Sequence, residues 1–259
     1  MSDIANLSGV ARQSKPIGIA NDSFEINQSE SRAGKSSKSA NMTRIYLVRH
    51  GQTELNFYGV LRGHLDPKLD ALGILQARML GDVIGREKLQ LVASSPLLRA
   101  VETATEIAIR AGVNVEMDPR LVDRDYGPWA GKTKEVLIAK WGSLNAAPDI
   151  EPESEVLARA FEAVIDVSRR VPNGSAVLVS HDAVNRLLLS ALDARLENVS
   201  SIPQDTGCFN VIELKGNDWS VLSINNYPSR NGILVTKRSM GDDQIVDTMT
   251  QRSAEHHHE

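Results

Sequence analysis

Three short apolar runs, residues 45–48, 89–93 and 176–179, are each followed by a turn and then by a long amphipathic stretch. A continuous apolar run of this length reads as a strand buried on both faces, and the stretch after it as a helix crossing back over the sheet. Leu72, Leu75, Gln76, Met79, Leu80 and Val83 set a helical stripe after the first run. A second helix is expected from Pro96 onward through Leu98, Val101, Ala104, Ile107 and Ala108, with proline in the first turn, where its missing N–H costs nothing. Residues 156–167 and 184–192 keep the same rhythm, and 208–214 and 219–224 flank a Lys-Gly-Asn-Asp turn as a hairpin. The alternation predicts an α/β chain, a three-layer α/β/α sandwich whose central sheet is mostly parallel with an antiparallel edge.

Composition excludes several other classes. The 259 residues are 41% hydrophobic and 24% charged, with a formal net charge of −4, so nothing advertises a nucleic-acid partner. No window approaches the roughly 18 apolar residues of a membrane span, and the first forty residues lack the apolar core of a secretory signal. The single cysteine, Cys208, cannot form an internal disulfide and suits a reducing compartment, so the expected address is cytoplasmic. Residues 1–41 read as a polar N-terminal tail, 42–228 as one domain, and 229–259 as a second tail whose final His256, His257 and His258 look like an appended tag rather than a metal site.

In open α/β sheets the ligand sits beyond the carboxyl ends of the strands, so the residues after each apolar run carry the most information. Arg49, His50, Gly51, Gln52, Thr53 and Asn56 follow the first run, Ser94, Ser95 and Arg99 the second, and Ser180, His181 and Asp182 the third. Two imidazoles and two guanidiniums are thereby expected at one sheet edge. Guanidinium forks match phosphate oxygens, and a neutral imidazole nitrogen can attack phosphorus. The leaving alkoxide needs a proton, and Asp123 lies in the loop where carboxylates cluster; desolvation beside a phosphate would raise its pKa into a useful range. Taken singly, each residue has a plain structural explanation: a satisfied buried histidine, a surface arginine on a helix, an aspartate fixing a turn. Their shared position at strand ends is what favours chemistry. The nearby arginines argue against His50 and His181 as a zinc pair, so no metal or other cofactor is expected.

The segment from Leu47 to Asn56 resembles the signature of the histidine phosphatase superfamily, in its phosphoglycerate-mutase-like branch. Further matches follow in order: Gly59, Arg62-Gly63 and Asp66; Leu72-Gly73; Ser94 to Ala104; Asp123 to Trp129 and Gly131; Glu153-Ser154; and Val179 to His181. The resemblance covers about residues 43–226. It implies a phosphoglycerate-mutase-like fold, His50 as the phosphorylated nucleophile, and Arg49, Arg99 and His181 around the phosphate. Asn56, Gln52, Arg62 and Asp182 are counted with the substrate-binding residues.

Asp123 stands where the family most often has Glu, one methylene shorter, so its loop must approach more closely. Asp182 stands where this branch usually has Gly, and the acid-phosphatase branch uses a His-Asp pair as proton donor, which makes Asp182 a rival to Asp123. The implied activity is hydrolysis of a small-molecule phosphate monoester. A mutase is disfavoured because residues 132–150 form a brief segment without arginine, and a non-catalytic phosphate-ester-binding module because the His and Arg set is intact.

Overall fold

The computed structural model describes residues 41–228 and the backbone of residues 234–236. Apart from Asn41 and that backbone, the expected tails lie outside the described residues, His256 to His258 among them. In chain order the elements are β1 (Met42–Arg49), α1 (Glu54–Phe57), α2 (Ala71–Ile84), β2 (Leu89–Ser94), α3 (Leu98–Ala111), β3 (Val115–Met117), α4 (Lys134–Trp141), α5 (Glu153–Arg170), β4 (Ser175–Ser180), α6 (Asp182–Leu192), β5 (Phe209–Lys215), β6 (Asp218–Pro228) and β7 (Leu234–Thr236).

The strands form one sheet in the order β3-β2-β4-β1-β5-β6-β7. β1 to β4 and β6 run one way; β5 and β7 run the other. The α/β/α sandwich follows from side-chain alternation. On β1, Ile45 and Leu47 point into one core with Leu178 of β4 and with Val156, Ala160, Val164 and Leu188 of α5 and α6. Tyr46 and Val48 point the other way, toward Val177 and Val179 of β4 and Leu80, Ala104 and Ile107 of α2 and α3. Each fully buried aliphatic side chain in these layers contributes about 1.5–3 kcal/mol relative to exposure. The hairpin closes as the Gly-Asn dipeptide predicts, with Lys215 paired to Asp218 and Gly216 at a φ of 64° that favours glycine.

Two helical expectations need correction. The buried face of α2 is Gly73, Ala77, Leu80, Gly81 and Ile84, whereas Leu72 and Leu75 of the expected stripe are exposed. The glycines explain the rotation. A Cβ on Gly73 would lie 2.0 Å from the Gln52 carbonyl oxygen, and one on Gly81 would lie 2.6 Å from that of Glu106 in α3. Backbones approach here more closely than any side chain permits, and hydropathy gives glycine no weight in such a face. Helix α3 starts at Leu98 with Leu97 as its N-cap, so Pro96 precedes the helix instead of opening it. Its buried face includes Arg99 beside Ala100, Thr103, Ala104, Ile107 and Ala108.

Among the described residues no helix is long and apolar enough to cross a membrane.

Candidate active site

Sheet register places the two histidines side by side. Arg49 of β1 pairs with Ser180 of β4, so the next residues, His50 and His181, leave the sheet together, with ring centroids 5.1 Å apart. The His50 amide donates to the Ser180 carbonyl at 3.1 Å. On the far side of β4, β2 ends at Ser94, and Arg99 lies in the first turn of α3. His50, Arg99 and His181 are each wholly buried.

Hydrogen bonds define the state of the His50 ring. Its Nδ1 lies 2.7 Å from the Gly51 carbonyl oxygen, which only accepts, so the proton sits on Nδ1. The lone pair on Nε2 accepts from Arg99 Nε at 3.2 Å. Burial, reinforced by the charges of Arg99, Arg49 and Arg62, holds the His50 pKa well below 6.5, so the ring is neutral at neutral pH. Burial and the Arg99 charge do the same for His181. Its Nε2 is 2.8 Å from Ser95 Oγ, which itself accepts from the Leu97 amide. The Ser95 hydroxyl proton is thus free to point at Nε2, leaving the His181 proton on a buried Nδ1 that has no protein partner.

Arg99 is heavily engaged. Besides its contact with His50, it donates from Nη1 to the Leu65 carbonyl (2.7 Å) and from Nη2 to the Gly63 carbonyl and Asp123 Oδ2 (both 3.0 Å). Asp123 Oδ2 also lies 3.8 Å from His181 Nδ1. Burial raises the Asp123 pKa and outweighs the opposing charges of Arg99 and Arg62. Asp182 behaves in the opposite way. Burial pushes its pKa up, but Arg49, Arg186, Lys134 and Arg62 together bring it below the ordinary value. Its carboxylate pairs with Arg49 at 3.7 Å and Arg186 at 3.3 Å and makes no capping bond to α6, whose N-cap is His181.

A cavity of about 240 Å³ is lined in part by Arg49, Asn56, Arg62, Asp123, Tyr126, Lys134 and Asp182, whereas His50, Arg99 and His181, wholly buried, do not reach its wall. Arg49 donates from Nη1 to the Gln204 carbonyl and Arg62 from Nη1 to that of Val60, and the Nε of each is buried without a partner. Asn56 spends its Oδ1 on the backbone and hydroxyl of Thr53 in a capping box around α1. Gln52 is not brought to the cavity wall. Its backbone bonds to Gln76 and Asp70, seating the loop against the start of α2.

The sequence reading missed Lys134 on the cavity wall and the Arg159–Glu151 pair beneath the Asp123 loop, whereas Tyr126 was among the aromatics it offered for such a wall. Lys134 comes from the brief segment noted for containing no arginine, three positions after Gly131, and no periodic signal marks it.

A neutral buried imidazole ringed by guanidiniums at the carboxyl edge of an α/β sheet defines a class: enzymes that act on phosphate esters. The sequence profile of the histidine phosphatase superfamily (branch 1) matches residues 45–227, and the chain belongs to that superfamily. Phosphoserine phosphatase 1 of Hydrogenobacter thermophilus is 31% identical over 195 residues, covering 71% of this chain and 92% of its own. Among solved structures, a mycobacterial hydrolase superposes with a TM-score of 0.66 at 26% identity, covering 72% of this chain and 99% of its own. Mycobacterial glucosyl-3-phosphoglycerate phosphatase gives 0.64 at 26% identity, covering 71% and 99%. The expected fold and enzyme class hold: the chain is a phosphoric monoester hydrolase of phosphoglycerate-mutase-like architecture.

Proposed function

We propose that His50 Nε2 attacks the phosphorus of a small-molecule phosphate monoester while Arg49, Arg62, Arg99 and His181 hold the phosphoryl oxygens. The observation that carries this reading is the trio of buried nitrogens without protein partners, Arg49 Nε, Arg62 Nε and His181 Nδ1, around a neutral imidazole. Unmade hydrogen bonds of this kind cost about 1–3 kcal/mol each, and phosphoryl oxygens satisfy them. The phosphoryl group also takes the N–H that Arg99 now spends on His50 Nε2, which frees that lone pair for attack.

As the N–P bond forms and the ester P–O bond breaks, the Asp123 carboxyl gives its proton to the leaving oxygen and releases an alcohol. The resulting carboxylate then takes a proton from water, whose oxygen attacks phosphorus. The N–P bond breaks, phosphate leaves, and the Nε2 lone pair returns. The raised pKa of Asp123 and the lowered pKa of Asp182 support the former as the proton donor. Asn56 and Lys134 extend the polar wall toward the rest of the substrate, and Asp182 sets its charge.

The guanidiniums supply the positive charge, so the reaction needs no metal ion or other cofactor. A reducing, cytoplasmic setting fits the single, buried thiol of Cys208, whose pKa burial pushes up to about 12.

Rapid quenching during turnover of a substrate radiolabelled in its phosphoryl group should trap acid-labile label on His50. His50→Ala should lose turnover by at least about 10³-fold, and chelators should leave the native rate unchanged. Label on another residue, or near-native turnover by the His50→Ala variant, would refute the assignment.

A further inference from the structure

The Asp123 segment has almost no regular structure of its own: a single 3-10 turn, Pro119–Leu121, precedes it, and another, Gly127–Trp129, follows. Ser180 Oγ donates to the Leu121 carbonyl at 2.8 Å and His64 Nε2 lies 3.1 Å from the Asp123 carbonyl oxygen, but most of the side-chain bonds to this backbone come from one arginine of the far helix. Arg159 of α5 donates from Nη1 to the carbonyls of Arg120 (2.8 Å) and Val122 (2.7 Å), and from Nη2 to the carbonyl of Asp123 (3.1 Å). Its remaining donors, Nη2 at 3.0 Å and Nε at 2.8 Å, fork onto the carboxylate of Glu151. All five guanidinium N–H groups are thereby spent. Glu151 completes the bracket. Its Oε2 accepts the Asp125 amide at 3.0 Å, and its own amide donates to the Asp125 carbonyl at 2.9 Å.

We infer that Arg159 and Glu151 are positioning residues that fix the proton donor by its backbone. The inference rests on the assignment of Asp123 as that donor. The physical argument is one of reach. The Asp123 carboxyl is held at 3.0 Å from Arg99 and 3.8 Å from His181 by a short side chain, so an ångström of loop drift takes it off the leaving oxygen. A guanidinium fork brackets three carbonyls and a carboxylate at once; a lysine ammonium, a point charge with three donors, cannot span them. Neither residue lines the cavity, and neither side chain bonds to Arg49, His50, Arg62, Arg99 or His181. Disturbing them should therefore leave phosphate binding and nucleophilic attack intact while weakening proton transfer.

Leaving-group chemistry separates those steps. An alkyl phosphate expels an alkoxide that needs a proton, whereas p-nitrophenyl phosphate expels a stabilised phenolate that does not. In kcat/KM, which ends at phosphorylation of His50 and so excludes the water-activating step that both esters share, Arg159→Lys and the isosteric Glu151→Gln should each lose at least about tenfold on an alkyl ester while staying within about threefold of native on p-nitrophenyl phosphate, a smaller copy of the pattern for Asp123→Asn. Glu151→Gln keeps an acceptor for the Asp125 amide and provides the reading should Arg159→Lys fail to fold. Equal losses of kcat/KM on both esters, or no loss on either, would overturn the inference. If Asp123→Asn itself treats both esters alike, the acid assignment fails and takes the inference with it. If Asp123→Asn discriminates and the clamp variants do not, the inference falls alone.

Discussion

The floor of the site and its rim are built on different principles. On the floor, His50, Arg99, His181 and Asp123 are buried and locked into one another at 3.0–3.8 Å, and burial disfavours the charged form of both histidines and of Asp123. At the rim, Asn56 and Lys134 come from the short helices α1 and α4, Asp182 opens α6, and all three face the cavity. A dry, pre-oriented floor gives electrostatic stabilisation without reorganisation, the main source of rate in phosphoryl transfer. A wetter rim screens charge, so it tunes preference with little effect on rate.

The sharpest way to break this contrast is Arg99→Lys. The charge survives, but one ammonium cannot serve His50, two carbonyls and Asp123 together, so kcat should fall by about 10²–10³-fold with a smaller change in KM. Steady-state kinetics check this, and a pure KM effect would make Arg99 a rim residue in function. Asp182→Asn tests the other side. Losing the carboxylate 3.7 Å from Arg49 strengthens the pull on an anionic substrate, so KM should fall by about 3- to 10-fold with kcat nearly unchanged.

The smallest effect concerns stability. The folded pKa values of His50 and His181 lie below 6.5, so on acidification the unfolded chain binds protons that the folded one refuses, and stability falls as pH drops through the unfolded value. Asp123, with its raised pKa, takes up its proton in the folded state before the unfolded chain does and so pulls the other way as pH falls. Melting temperature should decline by several degrees between about pH 7.5 and about pH 5.5, and decline less in a His50→Asn, His181→Asn double variant. An equal decline in both proteins would show that the floor does not resist protonation.

What the sequence discloses divides along the same line. β1, β2 and β4 are legible because both faces are apolar, and His50, Arg99 and His181 are legible because they follow those strands. The face of α2 is not, since Gly73 and Gly81 contribute closeness, which hydropathy does not record. Arg159 is illegible for another reason. It sits on the flank of an ordinary amphipathic helix, and the carbonyls it gathers lie 36 to 39 residues earlier. Gln52 shows the converse: a residue inside a strong motif whose side chain is not on the cavity wall.

The seam between Gly73 and Gln52 carries a further consequence. A methyl group at position 73 would meet the oxygen of the loop that follows His50. In a saturation screen for activity, that position should tolerate replacement as poorly as the reactive residues do, although it never meets the substrate. Such intolerance far from the chemistry would trace to two backbones leaving no room for a side chain between them.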